Sequence, residues 1–278
     1  VNNKFLKALV YIILPVALII YLFSYIAIFG IAAVIAYVGY ILYTVRAGIF
    51  TSLGSINYSK GRIEKALAWF DKAYKSGRAK PMSMVSYAYL LLKTGNIEES
   101  ESILNTLIRS KLDENDKLHV KSNLALVLWK KGELDNAITM LQEAFEKLKT
   151  SITYGSLGYL LILKGDMDRA LEFNLEAYEY NNSNAVILDN LGQTYYITGD
   201  YDKAEETYEK LMQINPSFPE AYYNYGLVLM KKGKPEKALH LLRKSMDYKL
   251  TFLSTVTKEA IESAAEEAEK MVNGTNQE

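Results

Sequence analysis

The segment Leu191–Pro216, LGQTYYITGDYDKAEETYEKLMQINP, decides how the chain is read. Gly199 divides it in two. After the glycine, Tyr201, Ala204, Tyr208 and Leu211 recur at intervals of three and four residues, the period of one helix face. Before it, Leu191, Gly192 and Tyr195 share a face in the same way. Glycine adopts the left-handed backbone that ends a helix, and proline at 216 cannot extend the second one. The small residues Gly192 and Ala204 let two backbones approach, and Tyr208 supplies the bulk that fills the gap one turn on. The segment predicts a helix hairpin.

Working outward, the same signature recurs around Gly61, Gly95, Gly132, Gly165, Gly199 and Gly233, at spacings of 34, 37, 33, 34 and 34 residues. Seven residues before each stands a small residue: Gly54, Ala88, Ala125, Gly158, Gly192 and Gly226. Five after comes another: Ala66, Ser100, Ala137, Ala170, Ala204 and Ala238. Nine after is a bulky side chain (Phe70, Leu104, Leu141, Tyr208, Leu242), with Asn174 the exception. A single hairpin cannot bury such a face alone, so successive hairpins must stack.

This pattern resembles the tetratricopeptide repeat family over Ala47–Tyr248, most completely in the fifth and sixth units. Ser100 and Asn174 depart from the family's usual alanine and aromatic. The 37-residue spacing places about three extra residues in the polar Ser110–Lys117 connection. The expected fold is all-α: a solenoid of six helix-turn-helix repeats over residues 47–250. Within residues 251–278, Thr257–Val272 reads as an amphipathic capping helix and Asn273–Glu278 as a frayed tail.

The remaining 46 residues are of another kind. From Ala8 to Val45 there are 38 consecutive residues without a charge, too long for one straight membrane span of about 20 residues and suited to two. Residues 1–46 are expected to be a transmembrane hairpin with spans Phe5–Phe23 and Ala27–Val45, meeting the lipid bilayer through residues 5–45. The turn is expected within Phe23–Gly30, where Ser24 and Gly30 are the candidate turn residues. Lys4 and Lys7 flank one end and Arg46, Lys60 and Arg62 the other. By the positive-inside rule both chain ends and the solenoid face the cytoplasm at the cell membrane. A cleaved signal peptide fits poorly, because the apolar run is long and has no A-x-A site.

The chemistry available is narrow. There is no cysteine and there are two histidines, His119 and His240, neither with a ligand-spaced partner, so no metal or cofactor site is expected. No phosphate loop or nucleophile elbow occurs, and an enzyme is not expected. Residues 47–278 carry 29 basic and 32 acidic groups, which argues against nucleic acid as a partner.

The resemblance implies instead a concave groove lined by the first helix of each repeat, binding a protein or peptide partner. The positions it implies are Tyr89 in the second repeat, Asn123, Leu126, Trp129 and Lys130 in the third, and Tyr159 in the fourth. They continue with Asn190, Gln193 and Tyr196 in the fifth and Tyr223, Asn224 and Leu227 in the sixth. Asn123, Asn190 and Asn224 stand at equivalent places, where a row of amides would suit a peptide backbone. A clamp for C-terminal carboxylates does not fit, since Tyr223 and Asp189 stand where lysine would be wanted. The function expected is a membrane-anchored scaffold or adaptor. The alternative is a subunit of an envelope assembly, secretion or proteolysis-regulating complex, with partners also on a small-residue face of the second span (Gly30, Ala32, Ala33, Ala36, Gly39).

Overall fold

A computed structural model describes residues 3–275. The chain falls into two compact units, Val1–Ser83 and Met84–Glu278.

The first unit holds α1 (Asn3–Ala8), a π-helical turn (Leu9–Ile13), α2 (Leu14–Tyr25), α3 (Ala27–Ser59) and α4 (Ile63–Lys75). The π turn lies just before Pro15, whose missing N–H leaves the Tyr11 carbonyl without its helical partner. That carbonyl accepts instead from the Tyr37 hydroxyl of α3, at 2.9 Å. A side chain of α3 thus satisfies a carbonyl that the proline leaves open in the preceding apolar segment. Their outward side chains are bare: Ile20, Ile28 and Ile35 are 66%, 68% and 68% exposed. The helical runs Leu6–Tyr25 and Ala27–Ser59 are each long and apolar enough to cross a membrane.

The reversal occurs at one residue, Ile26, in extended conformation (φ −147°, ψ 119°). This corrects the choice of Ser24 or Gly30 as the turn residue. Gly30 serves packing, since a Cβ there would lie 2.4 Å from the Phe23 ring. From Ala27, α3 runs 33 residues, about 50 Å, without a break. The expected boundary at 46/47 falls inside this helix, so the second apolar span and the first helix of the first repeat are one element. Its C-terminal part packs Gly54 on Phe70 of α4. Arg46 lies over the Tyr43 ring at 3.7 Å and donates to the Ser76 carbonyl.

The second unit continues the hairpins: α5 (Pro81–Lys93) with α6 (Ile97–Ile108), α7 (Glu114–Lys130) with α8 (Leu134–Lys147), and α9 (Ser151–Lys164) with α10 (Met167–Tyr180). Then come α11 (Ala185–Thr198) with α12 (Tyr201–Gln213), α13 (Pro219–Lys231) with α14 (Pro235–Ser245), and α15 (Lys258–Thr275). All six turn glycines take φ between 66° and 90°, the left-handed region that a side chain would resist. The pairing of small and large residues is as the spacing predicts. A Cβ on Gly192 or Gly226 would stand 2.7 Å from Tyr208 or Leu242 respectively.

The two departures from the family pattern are absorbed differently. Ser100 is fully buried and its hydroxyl donates to the Ala88 carbonyl across the hairpin at 2.7 Å. Asn174, also fully buried, donates to Thr194 at 3.1 Å, while its Oδ1 has no partner.

The last helix is longer than expected. α15 includes Asn273–Thr275, so the tail does not begin at Asn273, and Asn276–Glu278 lie outside the described residues. Ala264, Ala265 and Ala268 are buried beside α13 and α14, so the helix closes the end of the stack.

Candidate partner-binding groove

In the second unit α9, α11 and α13 pack side by side, and the Trp129 and Tyr159 rings meet edge-on at 5.5 Å to join α7 to α9. One face of these first helices is therefore continuous. Tyr89, Leu126, Trp129, Tyr159, Gln193, Tyr196, Tyr223 and Leu227 are all half-buried, the state of side chains that line a surface rather than fill a core. Burial raises the phenols of Tyr196 and Tyr223 above their ordinary range, and it pushes Tyr159 up to about 12. Burial also lowers the Lys130 ammonium.

The asparagines do not form the open amide row expected of them. Asn190 is 2% exposed and its amide donates to the Gly155 carbonyl of the preceding repeat at 2.8 Å. Asn224 donates to Asp189 at 3.1 Å, and Asn123 donates to the His119 carbonyl of its own helix. Asn190 and Asn224 turn towards the preceding repeat, whereas Asn123 turns back onto its own helix.

Asp189 is a fifth-repeat position that the resemblance also places in the groove, besides carrying the wrong charge for a clamp. It is buried between the fifth and sixth repeats, where its carboxylate accepts from the Tyr208 hydroxyl (3.1 Å) and from Asn224. Burial raises it to about 7 despite these donors.

Sequence reasoning also missed what lies on this face. Connections between hairpins are short: residues 76–80, 109–113, 148–150, 181–184 and 214–218. The last, residues 246–257, is twelve residues long and runs to the far end of the unit. Its tip, Thr251–Ser254, is a tight turn in which the Ser254 N–H donates to the Thr251 carbonyl at 2.9 Å. There the Phe252 N–H donates to the Lys93 carbonyl at the end of α5, at 3.1 Å. The Phe252 ring packs on Gly95 and sits 5.0 Å from the Lys130 ammonium, which also covers Trp129 at 4.2 Å. On the return the Thr255 N–H donates to Glu220 at 2.9 Å, and the Thr255 side chain hydrogen-bonds Tyr159. The loop thus touches repeats two, three, four and six. The only sequence signal was its length, and a cap-like helix after it hid that.

On the edges of the stack, Lys131, Lys164 and Lys232, each one residue before a turn glycine, reach Glu101, Asp135 and Asp202 of the preceding repeat.

The comparisons with known proteins agree with this geometry. Family models described as tetratricopeptide or TPR repeat match residues 47–76, 122–185, 192–233 and 219–251. The chain carries tetratricopeptide repeats. It is 28% identical over 159 residues, 57% of this chain, to TPR repeat-containing protein MJ1428 of Methanocaldococcus jannaschii, spanning 28% of that protein. It is 33% identical over 112 residues, 36% of this chain, to the photosystem I assembly protein Ycf3 of Prochlorococcus marinus, spanning 64% of it. The chain therefore covers less than two thirds of either relative. Among solved structures, a tetratricopeptide repeat protein from Parabacteroides merdae superimposes with a TM-score of 0.63 at 14% identity, over 92% of this chain and 98% of that one. That likeness establishes the fold, an all-helical repeat solenoid.

Proposed function

We propose that the protein is a membrane-anchored, non-enzymatic scaffold that holds a protein or peptide partner in the groove of its repeats. The observation that carries this reading is the half-buried face of Trp129, Tyr159, Tyr196 and Tyr223 on adjacent first helices, part of which a loop of the chain already covers at Lys130 and Tyr159. Aromatic rings of this kind give contact area at low entropic cost and form the centres of interfaces. The Prochlorococcus relative is named for photosystem I assembly, which suits a scaffold. The apolar helices α2 and α3 supply the anchor, residues 5–45 meeting the bilayer. The basic residues at both flanks of the hairpin place the repeats on the cytoplasmic side. Anchoring confines the groove to a thin layer and raises its effective concentration for partners at the same surface.

The test is site-specific photocrosslinking in intact membranes, with the reactive residue at Tyr196 or Tyr223 and a control at exposed Glu179. A discrete adduct at the groove positions and none at Glu179 is expected. Equal labelling at all three positions overturns the groove. A reporter fused after Glu278 that is active only outside the cytoplasm overturns the topology.

A second reading, in which the hairpin itself packs on other membrane helices, draws on one observation. Gly30 is filled by Phe23, but Gly39 has open space around it. Partners lost on replacing Gly39 with leucine, with groove crosslinks also lost, would favour that reading.

A further inference from the structure

We infer that residues 249–255 are a displaceable plug in the groove, and that the partner's docking segment carries an aromatic residue in a hydroxyl-rich turn like Thr251-Phe252-Leu253-Ser254. The inference rests on the groove being the binding site.

Three observations carry it. First, the length is not needed for chain connection, since α15 packs directly on α14 and the other hairpins are joined by residues 76–80 to 214–218 in three to five residues. The additional chain is spent on an excursion across the first helices. Second, the tip meets a defined set of complementary groups. The Lys93 carbonyl and the Glu220 carboxylate each accept a main-chain N–H, and the Lys130 ammonium lies between the Phe252 and Trp129 rings. A replacement must therefore offer two N–H donors and one aromatic ring. Third, the plug is held lightly. Phe252 remains 38% exposed at the tip, so the ring is only partly enclosed, whereas Val256 next to α15 is buried and tethers the loop. Desolvation of Tyr159 and Lys130 beneath the loop fits a covered surface.

A tethered plug competes with a free ligand, so the apparent affinity falls by the fraction of molecules in which the groove is open. The test uses the full chain in detergent, in a Trp69→Phe background that leaves Trp129 as the sole tryptophan. The probe is a labelled peptide of residues 249–257, KLTFLSTVT. Replacing residues 249–255 with a glycine–serine linker of equal length, which keeps the buried Val256, is expected to tighten peptide binding by about tenfold. The same change should red-shift Trp129 emission, and the peptide should reverse the shift. A peptide with alanine in place of the phenylalanine should not bind. Phe252→Ala, a smaller change, is expected to tighten binding severalfold and decides the matter if the linker variant loses its helical circular dichroism. Equal affinity in wild type and in either folded variant overturns the plug. Groove crosslinks at Tyr196 and Tyr223 report on the scaffold reading separately. If they persist while peptide affinity is unchanged, only the plug fails.

Discussion

Asp189 shows how a single side chain sets a solution property of the repeats. Its carboxyl is held near 7 by burial, against about 3.9 in an unfolded chain. The folded state therefore binds that proton more tightly. The group's contribution to stability is most favourable below pH ~4, declines as pH rises from about 4 to about 7, and stays at its minimum above. Asp189→Asn keeps the Oδ1 acceptor for Tyr208 and Asn224 and removes the charge. It should raise stability at pH 8 by on the order of 2–4 kcal/mol and flatten the thermal midpoint between pH 5 and 8. A lower midpoint at pH 8 contradicts this account. Asn174 makes a related case, because its buried Oδ1 lacks a donor. Asn174→Leu restores the bulky residue that the other repeats use and should stabilise by about 1–2 kcal/mol in denaturant titrations. The sequence revealed Asn174 as an exception; only packing showed that half of its amide is unsatisfied. It also offered Asn190 and Asn224 as groove residues, because spacing along a helix cannot distinguish a side chain facing a groove from one facing the next repeat.

At the scale of elements, the hairpins were legible because each rule acts locally: a glycine at the turn, small residues seven before and five after, bulk nine after. Gly192→Val would drive a side chain into Tyr208 and should cost about 1–3 kcal/mol or more, read as a fall in the thermal midpoint. The lysine contacts at the edges are exposed, so Lys131→Ala should change stability by less than about 1 kcal/mol. In the apolar pair, the bend expected of Pro15 is visible in the sequence, but the rescue of the Tyr11 carbonyl by Tyr37 joins residues 26 apart. Tyr37→Phe removes that donor and should cost about 1–3 kcal/mol in detergent melts. The turn falls inside the expected Phe23–Gly30 window, but not at Ser24 or Gly30, because Ile26 has no turn propensity to mark it. Phe23 packs on Gly30 across the reversal.

For the molecule as a whole, periodicity alone determined the repeat architecture, the separate apolar character of the first 46 residues and the narrow range of chemistry open to a chain without cysteine. These properties arise from contacts between residues close in sequence or from composition, and a linear pattern records such things. The continuity of the second apolar stretch with the first repeat belongs with these, since Ala47–Leu53 is apolar and holds no helix breaker but Gly48, and α3 runs through it. One feature was decided only by tertiary structure: the return of residues 249–256 across repeats two to six. It depends on a Phe252 amide finding the Lys93 carbonyl about 160 residues away, a separation over which no local pattern carries information.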